Sequence, residues 1–117
     1  MARLSTHVLD LNRGGPAAGV RIELFRLEGE RRELLRTAAT NADGRTTEPL
    51  LEGERLPGGV FELVFHAGEY FRAMGVALAD PPFLDAVTIR FGLDPSRGSY
   101  HVPLLVAPYG YSTYRGS

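Results

Sequence analysis

Short apolar runs, separated by turn signals about every ten residues, are the feature of this sequence that most limits its fold. In Val20–Leu27 (VRIELFRL) and Val60–His66 (VFELVFH), apolar side chains recur with the period of two that is typical of strands. Phe25 and Leu27 break the alternation of the first segment, which suggests that both of its faces become covered toward its end. Gly, Pro, Asn and Asp cluster between the runs, as at Asn12–Pro16 and Asn41–Gly44, where tight turns need them. Only Gly68–Gly75 has the pattern of a helix, and that pattern is weak.

Seven or eight segments are predicted as strands. They are Leu4–Leu11, Val20–Leu27, Glu33–Thr40, a short segment at Leu50 and Leu51, Val60–His66, Ala86–Leu93, Tyr100–Ala107 and Tyr109–Arg115. This spacing is typical of an all-β protein, an antiparallel β-sandwich. No linker or repeat divides the chain, so one domain is expected over residues 1–117. A charged hairpin connection is expected at Glu28–Arg32. Pro103 lies inside an apolar run and lacks a backbone donor, so its strand should be irregular or at a sheet edge there.

Composition excludes several classes of function. Without cysteine, the chain has no disulfide, thiolate nucleophile or Cys-ligated metal. Without lysine, it has no Schiff-base chemistry at that side chain. A formal net charge of −1 gives no electrostatic reason to expect nucleic acid or an anionic membrane as a partner. No run approaches the roughly 20 apolar residues of a membrane span, and no signal peptide is visible, so a cytoplasmic protein is expected.

Histidines are the first candidates for a functional role. His7 lies mid-strand and alternates with Ser5 and Leu9, whereas His101 lies in a strand close to Pro103. A lone strand histidine is more often a hydrogen-bonded structural or surface residue than a functional one. No HxH or HxxxH pair is present, so no metal site is predicted, although distant histidines can converge in space.

Arg45 and the closing segment YSTYRGS each have two interpretations. An arginine that follows a turn such as Asp43-Gly44 is usually solvated, but one that faces a cleft can hold an oxyanion or a planar, imide-like substrate. The closing segment, Tyr111–Ser117, is either a polar edge strand that discourages aggregation or part of a site. No nucleophile elbow or phosphate-binding loop is present.

Three segments, taken together and in order, resemble the transthyretin-like proteins, and more narrowly the 5-hydroxyisourate hydrolase branch of that family. They are LSTHVLDLNRGGPAAGV near the start, TNADGRTTEPLL in the middle and YHVPLLVAPYGYSTYRGS at the end. The closing tetrapeptide YRGS separates the enzymatic branch from the hormone-carrying transthyretins, which lack it. VFELVFHAGEYFR and PPFLDAVTIRFG are also similar to the family, so the resemblance covers essentially the whole chain.

The resemblance implies a transthyretin-like (prealbumin-like) sandwich of two four-stranded sheets, with one short helix after the fifth strand. It also implies a homotetramer, a dimer of dimers around a polar central channel. The implied reaction is hydrolytic opening of the ring of 5-hydroxyisourate, a product of urate oxidation, on the way to allantoin. No metal and no cofactor are expected.

Site residues are implied in the same way. The catalytic positions of the family correspond to His7, Arg45, His101 and Ser117. The substrate-binding positions correspond to His7, Arg45, Tyr114, Arg115 and Gly116. Many members have a further histidine two positions before the His101 position, where this sequence has Ser99. A role for that extra imidazole is therefore not general, or is filled differently in this chain.

Attack of water on a ring carbonyl needs a base and a cationic or donor group near the oxyanion. We expect a neutral His7 or His101 to activate the water, with the choice between them open, and Arg45 to bind and polarise the substrate. Tyr114 and Ser117 are expected to complete the wall of the site. Two other interpretations stay open. A non-catalytic carrier of a small aromatic ligand would have a mostly apolar channel, and a structural or adhesion-type β domain would leave these polar side chains scattered in solvent.

Overall fold

The computed structural model describes residues 1–116 as a sandwich of β-strands with one short α-helix. In chain order the elements are β1 (Ala2–Ser5), β2 (Val8–Asp10), β3 (Gly15–Pro16), β4 (Arg21–Glu28), β5 (Arg31–Ala39), β6 (Leu51–Gly53), β7 (Gly59–Phe65), α1 (Ala67–Ala73), β8 (Val87–Leu93), β9 (Tyr100–His101), β10 (Leu104–Ala107) and β11 (Gly110–Thr113). A single 3₁₀ turn at Pro95–Arg97 leads from β8 toward β9. Across residues 1–116, no helix combines the length and apolar character needed to cross a bilayer.

Two layers make up the sandwich. One has the strand order β5-β4-β7-β8 and is antiparallel throughout. The other consists of two hydrogen-bonded groups, β6-β1-β9 and β11-β10-β2-β3. The pairs β1–β9 and β2–β10 are both parallel, and in both of them the partners are 96 positions apart. Because this offset is constant, β1 and β2 are two parts of one strand, and β9 and β10 are two parts of another.

The sandwich of two four-stranded sheets with one helix, expected from the sequence, is confirmed. It is not antiparallel throughout, since the strand pair described above runs parallel. Side chains alternate between the two faces of a sheet in parallel and antiparallel strands alike, so the sequence pattern cannot distinguish the two arrangements. The helix, predicted at Gly68–Gly75, spans Ala67–Ala73. The connection predicted at Glu28–Arg32 is shorter, because β4 continues to Glu28 and β5 begins at Arg31.

Pro103 interrupts the strand that was predicted as Tyr100–Ala107, as its missing N–H led us to expect. The residues on either side, Val102 and Leu104, still donate their backbone N–H groups to the neighbouring strand, each at 2.9 Å. The break is therefore local, and the parallel pairing continues across it.

The core lies between the layers and follows from the alternation of the strands. In the first strand, positions 2, 4, 6, 8 and 10 are buried, whereas positions 3, 5, 7 and 9 are more exposed. Large side chains fill the space between the sheets, among them Leu4, Ile22, Phe61, Phe65 and Leu104. The odd-numbered positions of the first strand consequently form the outer face of their sheet, where they are available to a site.

Candidate active site

His7 and Arg45 are backbone partners in an isolated antiparallel bridge between the first strand and the loop after β5. On this loop, the carbonyl of Asp43 accepts a hydrogen bond of 2.8 Å from Nε2–H of His7. A carbonyl oxygen only accepts, so Nε2 of His7 carries a proton. In the neutral ring, the lone pair therefore lies on Nδ1.

The sequence NADGR explains why Arg45 lies where it does. The Asn41 side-chain oxygen accepts from the backbone N–H groups of Asp43 and Arg45, at 2.9 and 3.2 Å, and so closes the turn. Gly44 has φ of +76°, and a Cβ at this position would collide with the backbone carbonyl of Val8. A side-chain amide and a glycine thus bring Arg45 against the first strand, while its side chain stays exposed.

His101 ends β9, and its register partner on β1 is Ser5. The Ser5 hydroxyl oxygen and Nδ1 of His101 are 2.9 Å apart. His7 lies two residues beyond Ser5 on the same face of the sheet. Strand geometry therefore places its Cα roughly 8 Å from the Cα of His101. The two imidazoles are neighbours on one surface.

The chain after β11 passes over His101. Gly116 donates its backbone N–H to the carbonyl of His101 at 2.7 Å, in a second isolated bridge. An ideal Cβ on Gly116 would lie 3.0 Å from Cδ2 of the imidazole. The C-terminal segment is therefore packed directly against the ring.

The surroundings of His101 favour the neutral imidazole. Burial is the largest effect that lowers the pKa of His101, and the positive charges of Arg45 and of protonated His7 lower it further. A histidine has an ordinary value near 6.5. With its pKa shifted downward, His101 is largely uncharged at neutral pH and can accept a proton.

A groove of about 240 Å³ opens beside these residues. Six of the seven residues that line it are of polar or charged types: Arg3, Ser5, Thr6, Arg45, Thr46 and Thr47, with Pro49 as the seventh. Arg45 is the only one of these that the sequence analysis selected. Alternation places Arg3 and Ser5 on the same face as His7, which is the signal that points to them. For Thr46 and Thr47, the one signal in the sequence is that they directly follow Arg45.

Tyr114 and Arg115 line a different groove, of about 260 Å³, between the edges of β8 and β11. The guanidinium carbon of Arg115 lies 4.2 Å from the centre of the Tyr100 ring. One of its N–H groups donates to the carbonyl of Ser99 at 3.2 Å. Ser117, the fourth predicted catalytic residue, lies outside the described residues.

The third histidine is not part of this cluster. Nε2–H of His66 donates to a carboxylate oxygen of Glu23 at 2.7 Å, on the opposite layer. The residues from 1 to 116 contain no group of three or more His, Cys, Asp or Glu side chains that is placed to hold a metal ion. Within this part of the chain, the structure brings together His7, Arg45, His101 and Gly116.

Two imidazoles, one of them with a lowered pKa, and a permanent cation share one surface. This arrangement can remove a proton from a nucleophile on one side and stabilise negative charge on the other. It suits addition of water to a polarised carbonyl group.

The chain matches known proteins over nearly its whole length. The model of the HIUase/Transthyretin family matches residues 4–116. The chain is 59% identical over 115 residues to 5-hydroxyisourate hydrolase 2 of Rhizobium meliloti strain 1021. The aligned residues cover 98% of this chain and 96% of that relative. The structure of Klebsiella pneumoniae 5-hydroxyisourate hydrolase has a TM-score of 0.81 and 38% identity, with 100% of both chains covered. A crystal structure of (S)-allantoin synthase has a TM-score of 0.91 and 45% identity, and covers 98% of this chain but 43% of its own.

Proposed function

This chain belongs to the HIUase/Transthyretin family, and from that premise we propose that it hydrolyses 5-hydroxyisourate by attack of water on a ring carbonyl. The relatives named 5-hydroxyisourate hydrolase support the substrate, since the likeness extends over the whole chain. The observation that carries the mechanism is that strand pairing brings the three residues onto one surface. His7 and Arg45 are bridge partners, and Ser5, two residues before His7, is the register partner of His101.

His101 is the general base. Its neutral imidazole takes a proton from the attacking water as the water oxygen bonds to the carbonyl carbon. Ser5 already faces Nδ1 at 2.9 Å, so Nε2 is the nitrogen that meets the water. Collapse of the tetrahedral intermediate breaks the carbon–nitrogen bond of the ring. The imidazolium then returns its proton to the departing nitrogen, and the carbonyl carbon becomes a carboxyl group.

Arg45 stabilises the negative charge of the intermediate. Its guanidinium is always charged and presents a planar fork of donors, which suits a flat ring rich in carbonyl acceptors. The same charge opposes protonation of His101 in the resting enzyme. When the oxyanion forms, its negative charge is attracted to both the guanidinium and the new imidazolium. This electrostatic stabilisation is therefore greatest in the transition state.

His7 holds the substrate in register with the base. The Asp43 carbonyl fixes its ring through Nε2–H, so the Nδ1 lone pair is available to a ring N–H of the substrate. The fixed ring loses little entropy on binding, which is how positioning contributes to rate.

We propose that the C-terminal segment, Tyr114–Ser117, closes one side of the site. Two contacts support this role. Gly116 packs on His101, and Arg115 anchors the segment on Tyr100. We assign Arg115 to holding the segment. Tyr114, which lines the groove between β8 and β11, and Ser117 are proposed as further contacts to the substrate.

We propose that the protein is a homotetramer, a dimer of dimers, in the cytoplasm. Edge strands β8 and β11 leave open hydrogen-bonding edges in both layers. Near the β10–β11 turn, Phe83 and Tyr109 stack with ring centres 6.2 Å apart, although 70% and 67% of their surfaces are exposed. Such exposed aromatic pairs are typical of association surfaces.

The residue types that border the groove favour the hydrolase over a carrier of aromatic ligands. Two arginines, a serine and three threonines border it. A carrier site for a small aromatic molecule would instead be lined mostly by apolar side chains.

The test is the decay of freshly prepared 5-hydroxyisourate, followed by absorbance with and without the protein. His7→Ala, Arg45→Ala and His101→Ala are each expected to lower turnover at least ~100-fold. Arg55→Ala is the matched control, since it removes the same charge from an exposed position in the β6–β7 connection. Size-exclusion chromatography with light scattering verifies that each variant keeps the wild-type assembly. Wild-type rates in all three site variants would disprove the mechanism. If the wild-type protein did not accelerate the decay, the proposed activity would be disproved.

A further inference from the structure

Ser5 is the residue whose side chain hydrogen-bonds to the imidazole of the proposed base, and its place in the sequence pattern indicates no role. It is the direct register partner of His101 across the parallel pair β1–β9. Its hydroxyl lies 2.9 Å from Nδ1 of His101, with both side chains partly buried on the outer face of the sheet. This contact bears on which nitrogen of the neutral ring carries the proton.

The two histidines of the site differ in how their protons are placed. His7 faces a carbonyl of Asp43, which can only accept, so its tautomer is fixed. His101 faces a hydroxyl, which can donate or accept. If Ser5 donated to Nδ1, the neutral ring would carry its proton on Nε2 and could not act there as a base. If Nδ1–H donates to Ser5, the Nε2 lone pair is free to take a proton.

We propose that Ser5 is a positioning residue that accepts a hydrogen bond from Nδ1–H of His101 and so maintains the tautomer in which Nε2 is basic. This arrangement persists through the reaction. The imidazolium that forms when Nε2 is protonated still has its Nδ1–H directed at Ser5, so neither side chain has to rotate. The stronger hydrogen bond of the cation also favours proton uptake from water.

Three other groups bear on the proton of His101. Arg45, from the loop after β5, opposes its protonation by a permanent charge, and His7, from the first strand, does so when its own ring is protonated. Gly116 packs on the Cδ2 side of the ring and contributes no charge. Ser5 is thus the hydrogen-bonding partner of the ring within residues 1–116, and the proposal concerns this contact alone.

The first test does not depend on the proposed function. Nitrogen-15 NMR of the histidine side chains in the ligand-free protein reports the tautomer of His101 directly. We expect the Nδ1–H form in the wild type and in Ser5→Thr, which keeps a hydroxyl. Ser5→Ala should give a mixture with Nε2–H, the form that predominates in free histidine. Ser112→Ala, the same change on the outer face of β11, is the control and should leave the signals of His101 unchanged. An Nε2–H tautomer in the wild type would overturn the proposal, whatever the protein catalyses.

The second test rests on the proposed function and measures the direction in which the acidic limb of the pH profile shifts. If Ser5 accepts from Nδ1–H, Ser5→Ala removes a contact that favours the imidazolium and lowers the pKa of His101. The acidic limb of kcat/KM then moves to lower pH, kcat falls about tenfold, and KM changes little. Ser5→Thr should restore both parameters. A shift of the limb to higher pH would show that Ser5 donates, and would disprove the proposal. A protein without hydrolase activity would still give the NMR result, so failure of the function and failure of the proposal can be distinguished.

Discussion

Gly116 lies so close to His101 that a Cβ built on the glycine would be 3.0 Å from Cδ2 and 3.1 Å from Cβ of the histidine. The same glycine donates its N–H to the carbonyl of His101 at 2.7 Å. The tail is therefore fixed to the histidine through its backbone, and the absence of a side chain at Gly116 is what permits the contact. Its position next to the proposed base supports the proposal that the tail is part of the site.

Gly116→Ala is expected to displace the imidazole of His101 and to lower kcat about tenfold or more, since an error of about 1 Å in position can cost two orders of magnitude. The global fold should persist, because the change lies beyond the last strand. Gly110→Ala is the control, as a Cβ there meets nothing within 4 Å. Steady-state kinetics and circular dichroism of both variants provide the comparison. Equal kcat in the two would show that the close contact has no effect on catalysis.

The pH dependence should reveal the charge of Arg45. Because burial and this charge lower the pKa of His101, the neutral base persists to lower pH than an ordinary histidine, and activity is lost only as pH falls through the lowered value. Arg45→Gln removes the charge, so the pKa of His101 rises and its titration midpoint moves to higher pH. NMR titration of the imidazole measures this without substrate, with Arg55→Gln as the control. A midpoint that stayed in place would show that the guanidinium does not act on His101.

Gly44 should be important for stability as well as for the site. Alanine at its φ of +76° costs about 1 kcal/mol from conformation alone, and its Cβ would also meet the carbonyl of Val8. Gly75 has a nearly identical φ of +79° with nothing within 4 Å, so Gly75→Ala isolates the conformational cost. We expect Gly44→Ala to lower the free energy of unfolding by at least about 1 kcal/mol more than Gly75→Ala. Urea denaturation of both variants measures the difference, and equal losses would show that the loop moves aside without cost.

Assembly should depend on the exposed aromatic pair. Phe83→Asp places a charge where Phe83 and Tyr109 stack. If this surface is covered by a second copy of the chain, burial of the charge will weaken the assembly. Sedimentation velocity should then show smaller species than for the wild type. Met74→Asp, another exposed apolar residue, at the end of α1, is the control. An unchanged sedimentation profile for Phe83→Asp would exclude this pair from the interface.

Local patterns in the sequence predict local structure well. In the predicted strand Leu4–Leu11, the period of two correctly separates the buried positions 4, 6 and 8 from the face that includes Ser5 and His7. The same pattern contains no information about strand direction, so the parallel pairing escaped prediction. The missing donor at Pro103 predicted the break in its strand, because that effect depends on one residue.

The site was only partly accessible to such reasoning. His7, Arg45 and His101 are separated by long stretches of chain, so their meeting depends on strand pairing and not on spacing. Ser5 was not selected, since a serine on the outer face of a strand has the same pattern as a solvated one. The stacking of Arg115 on Tyr100 depends on how the C-terminal segment folds back, which no local signal specifies.

The separation of 96 positions between paired residues has a consequence for synthesis of the protein. When the first strand leaves the ribosome, its parallel partner has not yet been translated. The edge of the first strand must therefore remain unpaired until 96 further residues are available. The proposed base and its serine partner come from these two strands. A nascent or proteolysed fragment that lacks either one would carry half of a catalytic apparatus, so that activity itself would report the integrity of the chain.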